Sequence, residues 1–155
     1  MPYNAVAKRD FLASLAIFHN RYLSLFRLIS AYPISLIDMP GVAGSHSPRQ
    51  AIARLCDRLQ AADECFANFD SGNNQDEECD ADSDLTYITA FRETLDWTNL
   101  CSELRILTQD VLTHAVAADT QMRAGDPRYR KWLTHLSQDC TVLMHQLEEF
   151  ASADH

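Results

Sequence analysis

Ser47-Pro48-Arg49-Gln50-Ala51-Ile52-Ala53-Arg54-Leu55-Cys56-Asp57 is the clearest helix start in the chain. A serine side chain can accept from the first free backbone N–H groups. Proline suits the first helical position because its missing N–H would be unpaired there anyway, and Gln50 completes a capping box. Ile52, Leu55, Leu59, Ala62, Phe66 and Phe69 then recur at three- and four-residue steps, which predicts an amphipathic helix with Gly72 just past its end. Upstream lies a connection from Ile34 to His46 holding Pro40, Gly41 and Gly44. Before it, Leu12, Leu15, Phe18, Tyr22, Leu25, Phe26 and Ile29 form one stripe, predicting a helix from about Ala5 to Ala31 that Pro33 terminates. Downstream, residues 70–84 read as a loop. Ser83 or Asp82 is placed to cap a third helix with the stripe Ile88, Phe91, Leu95, Cys101, Leu104 and Leu107. Periodicity fades from Thr108 to Gly125, which predicts irregular chain or a short helix. Asp126-Pro127 restarts the pattern, and Trp132, Leu136, Leu143, Leu147 and Phe150 mark the last helix.

Four amphipathic patterns without strand alternation predict an all-α protein, an up-down four-helix bundle, with residues 1–155 as a single domain. Composition agrees. Four glycines and five prolines in 155 residues are few for an all-β chain, where every short strand needs a turn. The net charge of −9 is mostly local: Asp70, Asp76, Glu77, Glu78, Asp80, Asp82 and Asp84 lie in one loop without Lys or Arg. The rest of the chain is close to neutral and shows no basic run, which argues against nucleic-acid binding. No apolar stretch reaches the roughly 18 residues of a spanning helix, and the first residues do not resemble a signal peptide. A cytoplasmic, non-membrane protein is expected. The five cysteines are odd in number and show no C-x-x-C spacing, so neither a disulfide scaffold nor a structural zinc site is expected.

Several constellations invite chemistry and are weighed against plainer roles. Asp80-Ala81-Asp82-Ser83-Asp84 begins like a calcium loop, but Leu85 and Phe91 occupy the positions that require Gly and Glu, so a solvated loop is the better reading. The same acidic loop could dock a basic partner through Asp76, Glu77, Glu78 and Asp80. The six histidines include no pair three or four apart. His135 and Asp139 share a face, yet they need a donor from another helix to hold a divalent ion. Cys101 and Cys140 lack a neighbouring cation in sequence, so packing is preferred over nucleophilic chemistry. Trp97 and Trp132 read as core or pocket-wall aromatics.

The helix order and two motifs resemble the DinB/YfiT-like superfamily of helical-bundle metalloenzymes. Ser47-Pro48 through Asp57 is similar to the start of that family's second helix. Trp132 through Leu147, with His135, Asp139, His145 and Gln146-Leu147, is similar to its last helix. The resemblance implies a bundle in which one histidine of the second helix and two of the last hold a divalent cation for thiol-dependent transferase or isomerase chemistry. It also implies homodimerisation. At the three corresponding positions this chain has Arg54, Asp139 and Leu143, and His46 precedes the Ser-Pro pair. Arginine stays protonated and leucine has no donor atom, so the family's metal site is lost and no cofactor is expected. The swap predicts an Arg54–Asp139 ion pair in place of the metal, the alternative being that both side chains reach solvent. Three readings follow. One is a bundle that keeps a pocket for a small anionic ligand at Arg54, or an interaction surface. Another is a metal-dependent thiol transferase or hydrolase-like enzyme with relocated ligands, His135 and Asp139 with His46 or Cys56. The last is an adaptor that uses the acidic loop.

Overall fold

The computed structural model describes residues 3–70, 90–121 and 124–155, without the side chains of residues 69 and 70. The chain is all-α there. Its long helices are α1 (Ala5–Ser30), α2 (Pro48–Asp70), α3 (Trp97–Thr120) and α4 (Pro127–Ser152), with a 3-10 turn at Ile34–Leu36. Starts are set by side chains. Asn4, Asp96 and Asp126 accept from the backbone N–H of Ala7, Asn99 and Arg128. At α2 the capping box forms as the spacing demands: Gln50 N donates to Ser47 Oγ at 3.2 Å, and Ser47 N donates to Gln50 Oε1 at 2.9 Å.

Several expectations need correction. The third helix does not carry Phe91 on its inner stripe. The chain turns at 93–96, Asp96 caps a new helix, and Phe91 is 63% exposed. The caps proposed at Ser83 or Asp82, the position Ile88, the end at Gly72, the calcium-like Asp80–Asp84 run and the acidic docking residues lie outside the described residues. Thr108 to Thr120, within the stretch expected to be irregular chain or a short helix, continues the long helix. Its inward face is Val111, Ala115 and Ala118, all fully buried. Small alanines at the four- and three-residue steps let helices approach closely but give almost no hydropathy signal. On α1, Phe11 takes the buried place and Leu12 faces out.

Side-chain contacts define the directions of the helices. Asp10 meets Arg130 and Arg21 meets Thr141, so α1 and α4 run parallel. Tyr3 donates to Asp119, and the Trp97 indole donates to the Ile29 carbonyl at 3.1 Å, so α1 and α3 are antiparallel. Asp63 meets His114 while Asp57 and Glu103 share Arg92, so α2 and α3 are parallel. Arg58 meets Asp139 and Phe66 packs on Tyr129 and Trp132, so α2 and α4 are antiparallel. Helix α1 packs on α3 and α4, and α2 packs on the same two. The four helices therefore run up, down, down, up, and the alternation of a simple up-down bundle is broken between α2 and α3. A helix of α2's length is about 35 Å long, and a parallel neighbour requires a connection that returns over that distance.

The core is one cluster led by Phe18, Tyr22, Leu25, Ile52, Leu59, Phe66, Leu104, Tyr129, Leu133 and Leu147. Two buried tyrosines lock α1 and the turn after it to α4. Tyr22 Oη donates to the Leu136 carbonyl at 3.1 Å, and Tyr32 Oη to the Leu147 carbonyl at 2.8 Å. Among the described residues, no helix is long and apolar enough to cross a membrane.

Candidate functional site: a cationic cavity between α2 and α4

Arg54 and Arg58 stand four residues apart and so share one face of α2. Helix α4 presents His135, Gln138, Asp139, Val142, Leu143 and Gln146 opposite them. With Ala43 and His46 of the connection, and Ala51 and Leu55 of α2, these residues enclose a cavity of about 700 Å³. Arg54 of α2 and Asp139 and Leu143 of α4 thus line one space. Its rim is exposed at Arg54, His135, Gln138 and Val142, while Leu55 and Leu143 are buried in its wall.

The pairing of the charges differs from expectation. Asp139 meets Arg58, with Nη1 to Oδ2 at 3.4 Å, and not Arg54. The antiparallel crossing of α2 and α4 sets residue 58 level with residue 139, and a helical turn of about 5.4 Å carries Arg54 past it. The carboxylate is only half-buried, its side chain 38% exposed, because it sits at the cavity rim. Arg54 Nη1 instead lies 2.7 Å from His46 Nε2. A guanidinium only donates, so the imidazole accepts at Nε2 and is the neutral tautomer with its proton on Nδ1.

The backbone of the connection places His46. Gly41 N and Val42 N both donate to the His46 carbonyl, at 3.1 and 3.0 Å, and Ala43 and His46 form an isolated antiparallel bridge. The turn requires left-handed backbone at Gly41 (φ 115°) and Gly44 (φ 62°), where a side chain would be strained. Arg49 fastens the loop to α2. Its Nε and Nη2 reach both oxygens of Asp38 at 2.7 and 3.3 Å, and its backbone N–H donates to the Ile37 carbonyl at 2.9 Å. The Arg49 guanidinium holds the Asp38 carboxyl below the usual carboxylate range.

The donor set does not fit the metal that the resemblance implies. Of the three corresponding positions only Asp139 offers a metal-binding atom, and it is engaged by Arg58. The relocated set fares little better. His135, Asp139 and His46 line the same cavity, but among the described residues no three His, Cys, Asp or Glu side chains come together as a metal-binding group. Cys56, the other donor considered, is fully buried, and burial pushes its thiol well up. Burial likewise pushes Cys140 up to about 12, despite nearby Arg21, and Cys101 up to about 11, so neither is an activated nucleophile. Cys65 is disulfide-bonded, which its spacing did not suggest. Trp132 packs against the core beside Phe66, and Trp97 packs near Tyr32.

Sequence reasoning missed a second arginine site on the other side of α2. Arg92 is 4% exposed and Asp57 6%. Arg92 donates to Asp57 and Gln60 of α2, and to Glu103 of α3 at 3.3 Å. This arginine pins the segment before α3 into the groove between the two parallel helices. Desolvation is the larger influence on Asp57 and raises its carboxyl above the ordinary range, against the lowering effect of Arg92. Asp57 and Gln60, three apart on the face opposite Phe66, were the available signal.

Among the described residues the chain is thus all-α, with a closed arginine cluster at Arg92 and an open cationic cavity between α2 and α4. Comparison with family models, curated proteins and solved structures finds no match.

Proposed function

We propose that this chain is a DinB-like helical bundle whose former metal position has become a binding site for a small anion. One observation carries the reading. The cavity holds two arginines against one carboxylate, and the carboxylate is paired with Arg58, so Arg54 meets only a neutral imidazole there. Asp57, three residues along α2, feels the charge of Arg54, but its carboxylate is buried against Arg92. A guanidinium of this kind offers several N–H donors in a planar fork suited to a carboxylate or phosphate. The likeness to the DinB/YfiT-like superfamily is supported by the convergence of Arg54, Asp139 and Leu143 on one cavity. The site's role is binding, and homodimerisation is a further expectation of the same likeness.

Tag-free protein is dialysed against zinc and nickel, analysed for bound metal, and melted in the presence of acetate, phosphate and hexanoate. The reading expects metal far below one ion per chain and a rise in Tm with at least one anion that is absent in Arg54→Gln. Stoichiometric metal bound through His135 would overturn it in favour of the relocated-ligand enzyme.

A further inference from the structure

We infer that the cavity is built for a monocarboxylate carrying a short apolar tail, with Arg54 as its anchor and His46 as the residue that positions the anchor. This rests on the anion-binding reading and adds the ligand's charge, its shape and a residue role. Charge comes first. Arg54 and Arg58 against Asp139 leave a surplus of one positive charge, because the imidazole that accepts from Arg54 is neutral. One negative charge balances the site. A second carboxylate on the same ligand would have to approach Asp139 or displace it from Arg58.

Shape follows from the register of the helices. Residue 58 lies level with 139 across antiparallel helices, so one turn back on α2 and one turn on along α4 brings Arg54 level with Leu143. The wall there is Leu55, Val142 and Leu143, with Ala51 beside them. The cation therefore stands next to the apolar part of the cavity, while Gln138 and His135 line the part nearer Arg58. A carboxylate on Arg54 directs its substituent onto leucine and valine. Each methylene buried there tightens binding roughly fourfold.

His46 completes the arrangement. As a neutral acceptor it orients the guanidinium without cancelling its charge, and it occupies a donor on Nη1 only, leaving the Nε and Nη2 edge for a carboxylate. Its own backbone is held by the Gly41 and Val42 N–H groups, which fixes where the side chain leaves the loop. His46 is a positioning residue. The other charged and titratable groups lining the cavity with it are Arg58 of α2 and His135 and Asp139 of α4.

The test is calorimetric titration of the full chain with acetate, hexanoate and succinate in low-chloride buffer at neutral pH. Hexanoate is expected to bind at least about tenfold tighter than acetate, and succinate no tighter than acetate. Arg54→Gln, at an exposed helix position, abolishes hexanoate binding. His46→Ala weakens it several-fold and His46→Gln, which retains an acceptor, restores most of the loss, whereas a merely structural role for His46 would give equal losses. If succinate binds tightest and Arg54→Gln abolishes it, the anion site stands and the monocarboxylate inference falls. If no anion binds, or binding survives Arg54→Gln, both fall. The ranking of the three acids is read on the unaltered protein, so it decides even where a variant does not fold.

Discussion

Helix α2 carries arginine contacts on two sides, and they have opposite fates. On one, Arg92 is buried with its donors spent on Asp57, Gln60 and Glu103. On the other, Arg54 and Arg58 stand half in solvent around a cavity, and Arg54 has a neutral acceptor where a carboxylate could be. A guanidinium stripped of water must be fully satisfied within the fold, and then it fastens elements together. One left at the rim can keep its charge for a ligand. The same residue type is a clamp in one place and a receptor in the other, and solvent access makes the difference.

The largest effect expected from breaking this comparison is at the clamp. Arg92→Met should destabilise by about 3–5 kcal/mol in urea unfolding, because it takes the guanidinium away from the buried Asp57 carboxyl and the half-buried Gln60. The double change Arg92→Met with Asp57→Leu should recover much of that, since a buried pair replaced on both sides is often tolerated. If the single change is nearly neutral, the cluster is not what holds the segment before α3.

A smaller effect separates loop from helix. Ser47→Ala removes half of the capping box that starts α2 and sets the approach of His46, and about 1 kcal/mol of stability should go with it. Urea unfolding measures it. A loss in line with an ordinary surface change, under about 0.5 kcal/mol, would mean the box contributes little.

At the cavity, Asp139→Asn should change stability by no more than about 1 kcal/mol, because the ion pair with Arg58 is largely solvated. It should instead raise hexanoate affinity, since the surplus of positive charge grows from one to two. A severe loss of stability would place Asp139 with the clamp.

The smallest effect is a pH dependence. Asp38 beside Arg49, and Asp126 beside Arg128, are both held below their usual range chiefly by hydrogen bonds from those arginines. A carboxyl depressed in the folded state contributes stability that is full above its unfolded pKa of about 3.9 and is lost as pH falls below it. Asp57 has the opposite sign: raised by desolvation, its contribution is present below about pH 3.9 and lost as pH rises through its folded value. Urea midpoints between about pH 2 and 5 should therefore fall less steeply in Asp126→Asn than in the parent chain. An unchanged slope would show that Arg128 does not stabilise the charge.

Much of the architecture was legible one helix at a time. Ser47, Pro48 and Gln50 announce α2, and Asp126-Pro127 announces α4, because capping depends on neighbours two or three residues away. The second half of α3 was hidden because Ala115 and Ala118 do in packing what large residues usually do, without their hydropathy. The break at Asp96 was hidden because the apolar spacing runs on through it.

Chain composition and local spacing determined by themselves that this is a helical protein and that α1, α2 and α4 begin and end near their observed bounds. Each of those depends on residue type or on short-range geometry. Tertiary structure alone decided that α2 and α3 run parallel, that Asp139 pairs with Arg58, that Arg54 is held by His46, and that Arg92 is buried. Such pairings turn on helix register. A shift of one turn, about 5.4 Å, exchanges one arginine for the next while leaving the hydrophobic pattern intact.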